Sequence, residues 1–189
     1  TLLVEPGITA DLTVTAIEIA ALTSDRGFHL TGGRDGHRLG ATLAAAGDIN
    51  GDGFADFIIG EPRFSTGSGD PAPAEVTAYV IFGRAGGRAE VLDLATLDGS
   101  NGFRLQSTLT GSAAESLHVI SGGDVNGDGF DDVTVTVFGA TPGSAYYSTS
   151  AYVLFGKADS FAATVDFAAV DGVDGTRVHG AIAVEHQNS

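Results

Sequence analysis

The feature that most constrains this chain is a long internal period. Three segments align with one another without a gap: Ile17-Glu-Ile-Ala-Ala-Leu22 followed by Gly27-Phe28, Leu92-Asp-Leu-Ala-Thr-Leu97 followed by Gly102-Phe103, and Val165-Asp-Phe-Ala-Ala-Val170 followed by Gly175-Thr176. Their starts lie 75 and then 73 residues apart. Between them, Gly47-Asp-Ile-Asn-Gly-Asp-Gly-Phe-Ala-Asp56 recurs as Gly123-Asp-Val-Asn-Gly-Asp-Gly-Phe-Asp-Asp132, and Ala78-Tyr-Val-Ile-Phe-Gly83 recurs as Ala151-Tyr-Val-Leu-Phe-Gly156. Three motifs repeating in one order mean that one supersecondary unit is used more than once, and such units bury their apolar faces by stacking. The period divides the chain into the end of a preceding unit and its connector (1–27), a first repeat (28–102), a second repeat (103–175) and the start of a third (176–189).

Within each unit the apolar runs are short, rich in Val, Ile, Phe and Tyr, and bounded by Gly, Asp, Asn and Pro, which is the pattern of strands. Four are predicted per unit. In the first they are Leu39 to Ala46, Phe57 to Gly60, Thr77 to Phe82 and Phe103 to Gln106. In the second they are Leu117 to Gly122, Val133 to Phe138, Ala151 to Phe155 and Thr176 to Ala183. Ser65 to Glu75 and Gly143 to Ser150 read as polar loops between the second and third strands, and Leu92 to Leu97 with its counterparts as a helical turn or edge strand at the repeat boundary. Leu2-Leu-Val4 sits where a third strand of a preceding unit would fall.

Four antiparallel strands make a sheet that must pack face to face with its neighbours, as the blades of a β-propeller do. The expectation is an all-β chain of antiparallel four-stranded blades, about two and a half of them in 189 residues. A propeller usually closes with 4 to 8 blades. The open sheet faces therefore call for other copies of the chain or for blades outside this stretch.

The recurring loop carries the chemistry. Asp-x-Asn-x-Asp-Gly-x-x-Asp places side-chain oxygens at positions 1, 3, 5 and 9, with a main-chain carbonyl at position 7. Calcium takes six to eight hard oxygen ligands, which alternate residues of a tight loop can supply. The candidate ligands are Asp48, Asn50, Asp52, the Phe54 carbonyl and Asp56 in one loop, and Asp124, Asn126, Asp128, the Phe130 carbonyl and Asp132 in the other. Gly53 and Gly129 would give the turn its backbone freedom. A hairpin turn alone would explain Asn-Gly-Asp-Gly, but not four oxygen side chains at alternate positions in both loops. Three carboxylates crowded without a cation would repel one another. An EF-hand needs a bidentate Glu at position 12 and a helix after it, whereas Ile59 and Val135 stand there within strand-like runs. Magnesium, which keeps its waters, suits such a protein-rich cage less well.

Nine basic against 24 acidic residues leave a net charge of −15. That balance lacks the positive charge nucleic acid or an anionic membrane requires, and favours cations. The chain has no Cys, which excludes disulfides, Cys-ligated zinc and a thiol nucleophile. No apolar run reaches the roughly 18 residues that span a bilayer, and Thr1 opens no charged-then-apolar leader. The expectation is a soluble chain with no membrane insertion and any export signal outside this stretch.

With Gly-Asp-(Ile/Val)-Asn-Gly-Asp-Gly-Phe-x-Asp leading into a strand, then Gly60-Glu-Pro62 and the looser Gly139-Ala-Thr-Pro142, the chain resembles the FG-GAP repeats of integrin α-subunit β-propellers, especially those of large bacterial secreted proteins. The Phe-Gly half departs from that pattern: it reads Leu39-Gly40 and Glu115-Ser116, which leaves tight inner-strand packing unsupported in the second unit. The resemblance implies a propeller, calcium between the first two strands of a blade, and a non-enzymatic adhesive or binding role at the cell surface or outside the cell, with a protein or glycan as ligand. The alternative is a propeller portion of a secreted polysaccharide-degrading or phospholipase-type enzyme. No Gly-x-Ser-x-Gly, His-Glu-x-x-His or phosphate-cradling loop supports it. His29, His37, His118, His179 and His186 do not cluster at ligand spacing, and Tyr146-Tyr147 fits an exposed loop pair more simply than a sugar platform.

Overall fold

The computed structural model describes residues 27–34, 37–62, 74–86, 91–109, 114–140 and 147–182. The expected strand at Leu2-Leu-Val4 and the connector at Ile17 to Leu22 fall outside these. Among the described residues eleven strands run in chain order: β1 His29–Thr31, β2 Thr42–Gly47, β3 Asp56–Pro62, β4 Ala74–Ile81, β5 Val91–Asp93, β6 Gly102–Leu109, β7 Ala114–Gly123, β8 Asp132–Ala140, β9 Tyr147–Leu154, β10 Thr164–Asp166 and β11 Gly175–Ile182. Short 3-10 turns, Leu94–Thr96 and Phe167–Ala169, follow β5 and β10. No helix among the described residues is long and apolar enough to cross a membrane.

The strands form two antiparallel four-stranded blades. In the first the order is β6-β4-β3-β2, and in the second β11-β9-β8-β7. Equivalent strands occupy equivalent places, as the sequence period requires. The boundary segments turn out to be both things expected of them, an edge strand and then a helical turn. Moreover, each edge strand joins the blade before its own: β10, from the second unit, pairs in parallel with β6, and β5 pairs in parallel with β1. By the same symmetry β1 is the outer strand of a preceding blade. The outer strand β6 begins at Gly102 and closes the first sheet, so the sequence period and the hydrogen-bonded sheets are out of phase by one strand.

Strand alternation buries both faces of the first blade. Ile58, Val76, Ala78, Val80, Phe103 and Leu105 point one way, into a core completed by Leu117, Val119, Val133, Val135, Val137, Tyr152 and Leu154 of the second blade. Ile59, Tyr79 and Ile81 point the other way, onto Leu94 and Leu97. Period-2 alternation with apolar residues on both faces is what places a strand between two layers. Phe161, in the segment before β10, stacks on Phe103 with ring centroids 4.4 Å apart and 10° between planes, and meets Phe82 at 5.8 Å. A connector of the second blade is thus sealed against the outer strand of the first.

Two expectations need correcting. Tyr147 to Ser150 is strand, not loop: Tyr147 and Ser148 pair with Ala140 and Gly139 on one side and with Ile182 and Ala181 on the other. Likewise Ala74 and Glu75 pair with Leu109 and Thr108, so β4 starts before Thr77. Small polar residues can carry a strand when both neighbours are already in register, because the ladder needs only their backbone. The second unit's inner strand also packs closely despite Glu115-Ser116, with Leu117 and Val119 inside the shared core.

Candidate metal centre

Each candidate loop is the turn between the first two strands of a blade, β2–β3 and β7–β8. Gly51 and Gly53, and in the second loop Gly127 and Gly129, all have positive φ, between 71° and 94°. Glycine adopts that region without penalty, which lets the chain coil tightly enough for alternate side chains to converge.

The two loops make nearly the same hydrogen bonds. The Asp48 carboxylate accepts from the N–H groups of Asp52 (3.0 Å) and Gly53 (2.9 Å), and Asp124 accepts from those of Asp128 (3.0 Å) and Gly129 (2.9 Å). Asn50 and Asn126 donate Nδ2 to Asp52 and Asp128, at 3.0 and 2.8 Å. Asp52 and Asp128 accept from the Phe54 and Phe130 N–H groups. The ninth position is the anchor. Asp56 is 2% exposed and accepts from the Ile49 and Gly83 N–H groups; Asp132 is fully buried and accepts from those of Val125 and Gly156. Each ninth-position Asp therefore ties its loop to the chain just after the third strand of its own blade.

Charge crowding registers at Asp56. Burial pushes its carboxyl up to about 6, the N–H bonds from Gly83 and Ile49 pull it back, and the nearby Asp52 and Asp48 charges raise it again. The donor set is entirely hard oxygen, which suits calcium rather than a thiophilic metal. The carboxylates are meanwhile turned onto the loop's own N–H groups. Among the described residues no three acidic or histidine side chains are gathered closely enough to hold a metal.

The residues missed by sequence reasoning lie between the loops. Asp131, at position 8 of the second loop, accepts from Asp48 N–H at 2.8 Å and donates its own N–H to the Asp48 carbonyl at 3.2 Å. Lys157 N–H donates to the Ile49 carbonyl at 2.9 Å. The Phe130 ring lies where a side chain on Gly51 would be, and the Asp131 carboxylate where one on Gly47 would be. The one signal in the sequence was the contrast of Ala55 with Asp131 between otherwise matching loops.

A second polar feature lies at the far end of β3. Glu61, fully buried, accepts from the Tyr79 hydroxyl (2.6 Å) and from Arg34 N–H (2.6 Å). Burial first, then the hydrogen bond and charge of Glu61, push the Tyr79 phenol up to about 12. Of the histidines, His118 is exposed on β7, and His186 falls outside the described residues, as does Tyr146.

Comparison with known proteins agrees with this geometry. A family model described as FG-GAP repeat matches residues 39–72, which contain β2, the first loop and β3. The chain is 35% identical over 117 residues to integrin alpha-E of Mus musculus, covering 59% of this chain and 9% of that protein. It is 30% identical over 102 residues to integrin alpha-2 of Mus musculus, covering 54% and 8%. Against integrin alpha-5 of Xenopus laevis it is 31% identical over 110 residues, covering 58% and 9%. The match thus spans less than a tenth of the length of these relatives. No solved structure matches. A repeated blade, a repeated Asp-rich inter-strand loop and these matches together make the chain similar to the FG-GAP repeats of integrin alpha subunits, with residues 39–72 matching the repeat itself.

Proposed function

We propose that the chain is a calcium-stabilised, non-enzymatic interaction module of an extracellular or cell-surface protein. The observation that carries this reading is the duplicated donor set: the same oxygens, on the same inter-strand turn, with the same ninth-position anchor, in both blades. Asp48, Asn50, Asp52, the Phe54 carbonyl and Asp56 would hold one ion, and Asp124, Asn126, Asp128, the Phe130 carbonyl and Asp132 the other. Bound calcium would neutralise three carboxylates per loop.

The protein's own residues do the rest. Asp56 and Asp132 transmit loop order to the third strand of each blade through Gly83 and Gly156. Asp131 transmits it across the blade joint to Asp48. Both loops thereby become part of the framework rather than a reaction centre. The connections 63–73 and 141–146 leave the opposite ends of β3 and β8, which frees that side of the blades to carry binding specificity for a protein or glycan.

Calorimetric titration of the metal-free chain with calcium tests this. Two equivalents should bind to the wild type and one each to Asp52→Ala and Asp128→Ala. A wild type that takes up no calcium would sink the proposal.

A further inference from the structure

We infer that the Asn126-Gly127 pair in the second loop is a site of self-modification, where the metal-free chain loses the Asn126 side-chain amide as ammonia and ends with aspartate or isoaspartate. The chain has Asn-Gly pairs at 50, 101 and 126. Glycine has no Cβ to shield the amide nitrogen that follows an asparagine, so each pair is chemically able to cyclise. At Asn126 the fold sets a group beside each reacting atom. The Gly127 nitrogen, which is the nucleophile, donates its N–H to Asp124 Oδ1 at 2.7 Å. Asn126 Oδ1, where negative charge develops, accepts from Asp128 N–H at 3.1 Å. Asn126 Nδ2, which departs, donates to Asp128 Oδ2 at 2.8 Å. An acceptor on the nucleophile, a donor on the developing oxyanion and an anchor on the leaving group are what acyl transfer requires. Both Asn126 and Gly127 are exposed, so water reaches the product.

The Gly127 nitrogen passes its proton to Asp124 Oδ1 and attacks Asn126 Cγ. The Cγ–Nδ2 bond breaks, and Nδ2 leaves as ammonia carrying that proton. Water then opens the five-membered imide. Attack at Cγ leaves an aspartate; attack at the main-chain carbonyl carbon leaves an isoaspartate, with one extra carbon in the backbone. The net change consumes one water, releases one ammonia and alters no oxidation state. The extra backbone carbon breaks the alternation by which the loop's oxygens converge, so isoaspartate retires the second loop as a cation site. The other two pairs are held more firmly. Asn101 donates Nδ2 to the Thr96 carbonyl at 3.1 Å and accepts from Asp98 N–H at 3.2 Å, while Gly102 is buried in the ladder opposite Ile81. The backbone before Asn50 is clamped from the second blade, Asp48 by Asp131 and Ile49 by Lys157. Protection of Asn126 by calcium rests on the metal reading above: an ion held by Asp124, Asn126 and Asp128 occupies the proton acceptor and fixes the amide oxygen.

Incubation of the full chain in chelator at neutral pH is the test, with peptide mapping by mass spectrometry and isoaspartyl methyltransferase labelling at intervals. Asn126 should convert several-fold faster than Asn50 and Asn101, whereas in denaturant all three should convert at similar rates. Asp124→Asn should remove the lead of Asn126; the comparison of folded with denatured wild type keeps the test decisive if that variant does not fold. Calcium should abolish the lead. Conversion of Asn126 no faster than that of Asn101 in the folded metal-free chain overturns the proposal, as does a folded Asp124→Asn chain that keeps the wild-type rate. A lead that persists in a chain shown by calorimetry to take up calcium overturns the protection. No uptake of calcium sinks the metal reading alone, and the lead measured in chelator still decides the site.

Discussion

Replacing Phe161 by Ala tests whether the two blades share one core. Phe161 belongs to the second blade's connector, is 5% exposed, and its ring meets the first-blade aromatics Phe103 and Phe82. Truncating a buried Phe to Ala costs roughly 3 to 5 kcal/mol, of which each well-placed ring pair accounts for about 0.5 to 1.5 kcal/mol. We expect a loss of about 4 kcal/mol, or ~8 to 16 °C in Tm for a chain of this size. Phe161→Leu, which keeps most of the volume but neither ring pair, should lose only about 1 to 2 kcal/mol. Urea unfolding followed by both fluorescence and circular dichroism is the assay. A single transition should move to lower urea with its slope unchanged, because both blades unfold together. Two separate transitions, with only one displaced, would refute the shared core, as would a loss below about 1 kcal/mol.

Gly99→Ala and Gly86→Ala form a matched pair. Both have positive φ, but a side chain at Gly99 would run into the Phe161 carbonyl while Gly86 has open space. Gly86→Ala should cost about 1 kcal/mol from backbone strain alone, and Gly99→Ala clearly more, as read by melting temperature. Equal losses would mean that the turn at Gly99 does not press on the connector. The Asp56 carboxyl, held at about 6 against 3.8 unfolded, makes the folded state the better proton binder between those values. Its contribution to metal-free stability is therefore fully present below about 3.8 and is lost as pH rises through about 6. The difference between 3.8 and about 6 sets an upper bound of about 3 kcal/mol. Chelated protein should melt higher at pH 5 than at pH 7, and Asp56→Asn should flatten that difference.

The repeat made the blade legible because each strand is locally apolar and bounded by Gly, Asp or Asn. It made the loop legible because its donors are close in sequence. What stayed hidden was set by distant partners. Tyr147 to Ser150 looks like loop because small polar residues carry no periodic signal, and only registration between β8 and β11 makes it strand. β10 joins the first blade through a parallel pairing that no local pattern encodes. The same holds for Asp131 and Asp48, which meet 83 positions apart, and for Glu61, an acid in a strand that finds Tyr79 across the sheet. Loop chemistry was local; the joint between loops was not.

The central claim is that calcium holds these blades together, and the most direct test is the melting temperature of the wild type with and without calcium. Two sites at a hundredfold excess over Kd would each add about 2.7 kcal/mol. Together they should raise Tm by ~10 to 20 °C. Chelation should reverse the rise, and magnesium should not reproduce it. An identical melting curve in calcium and in chelator would contradict the account.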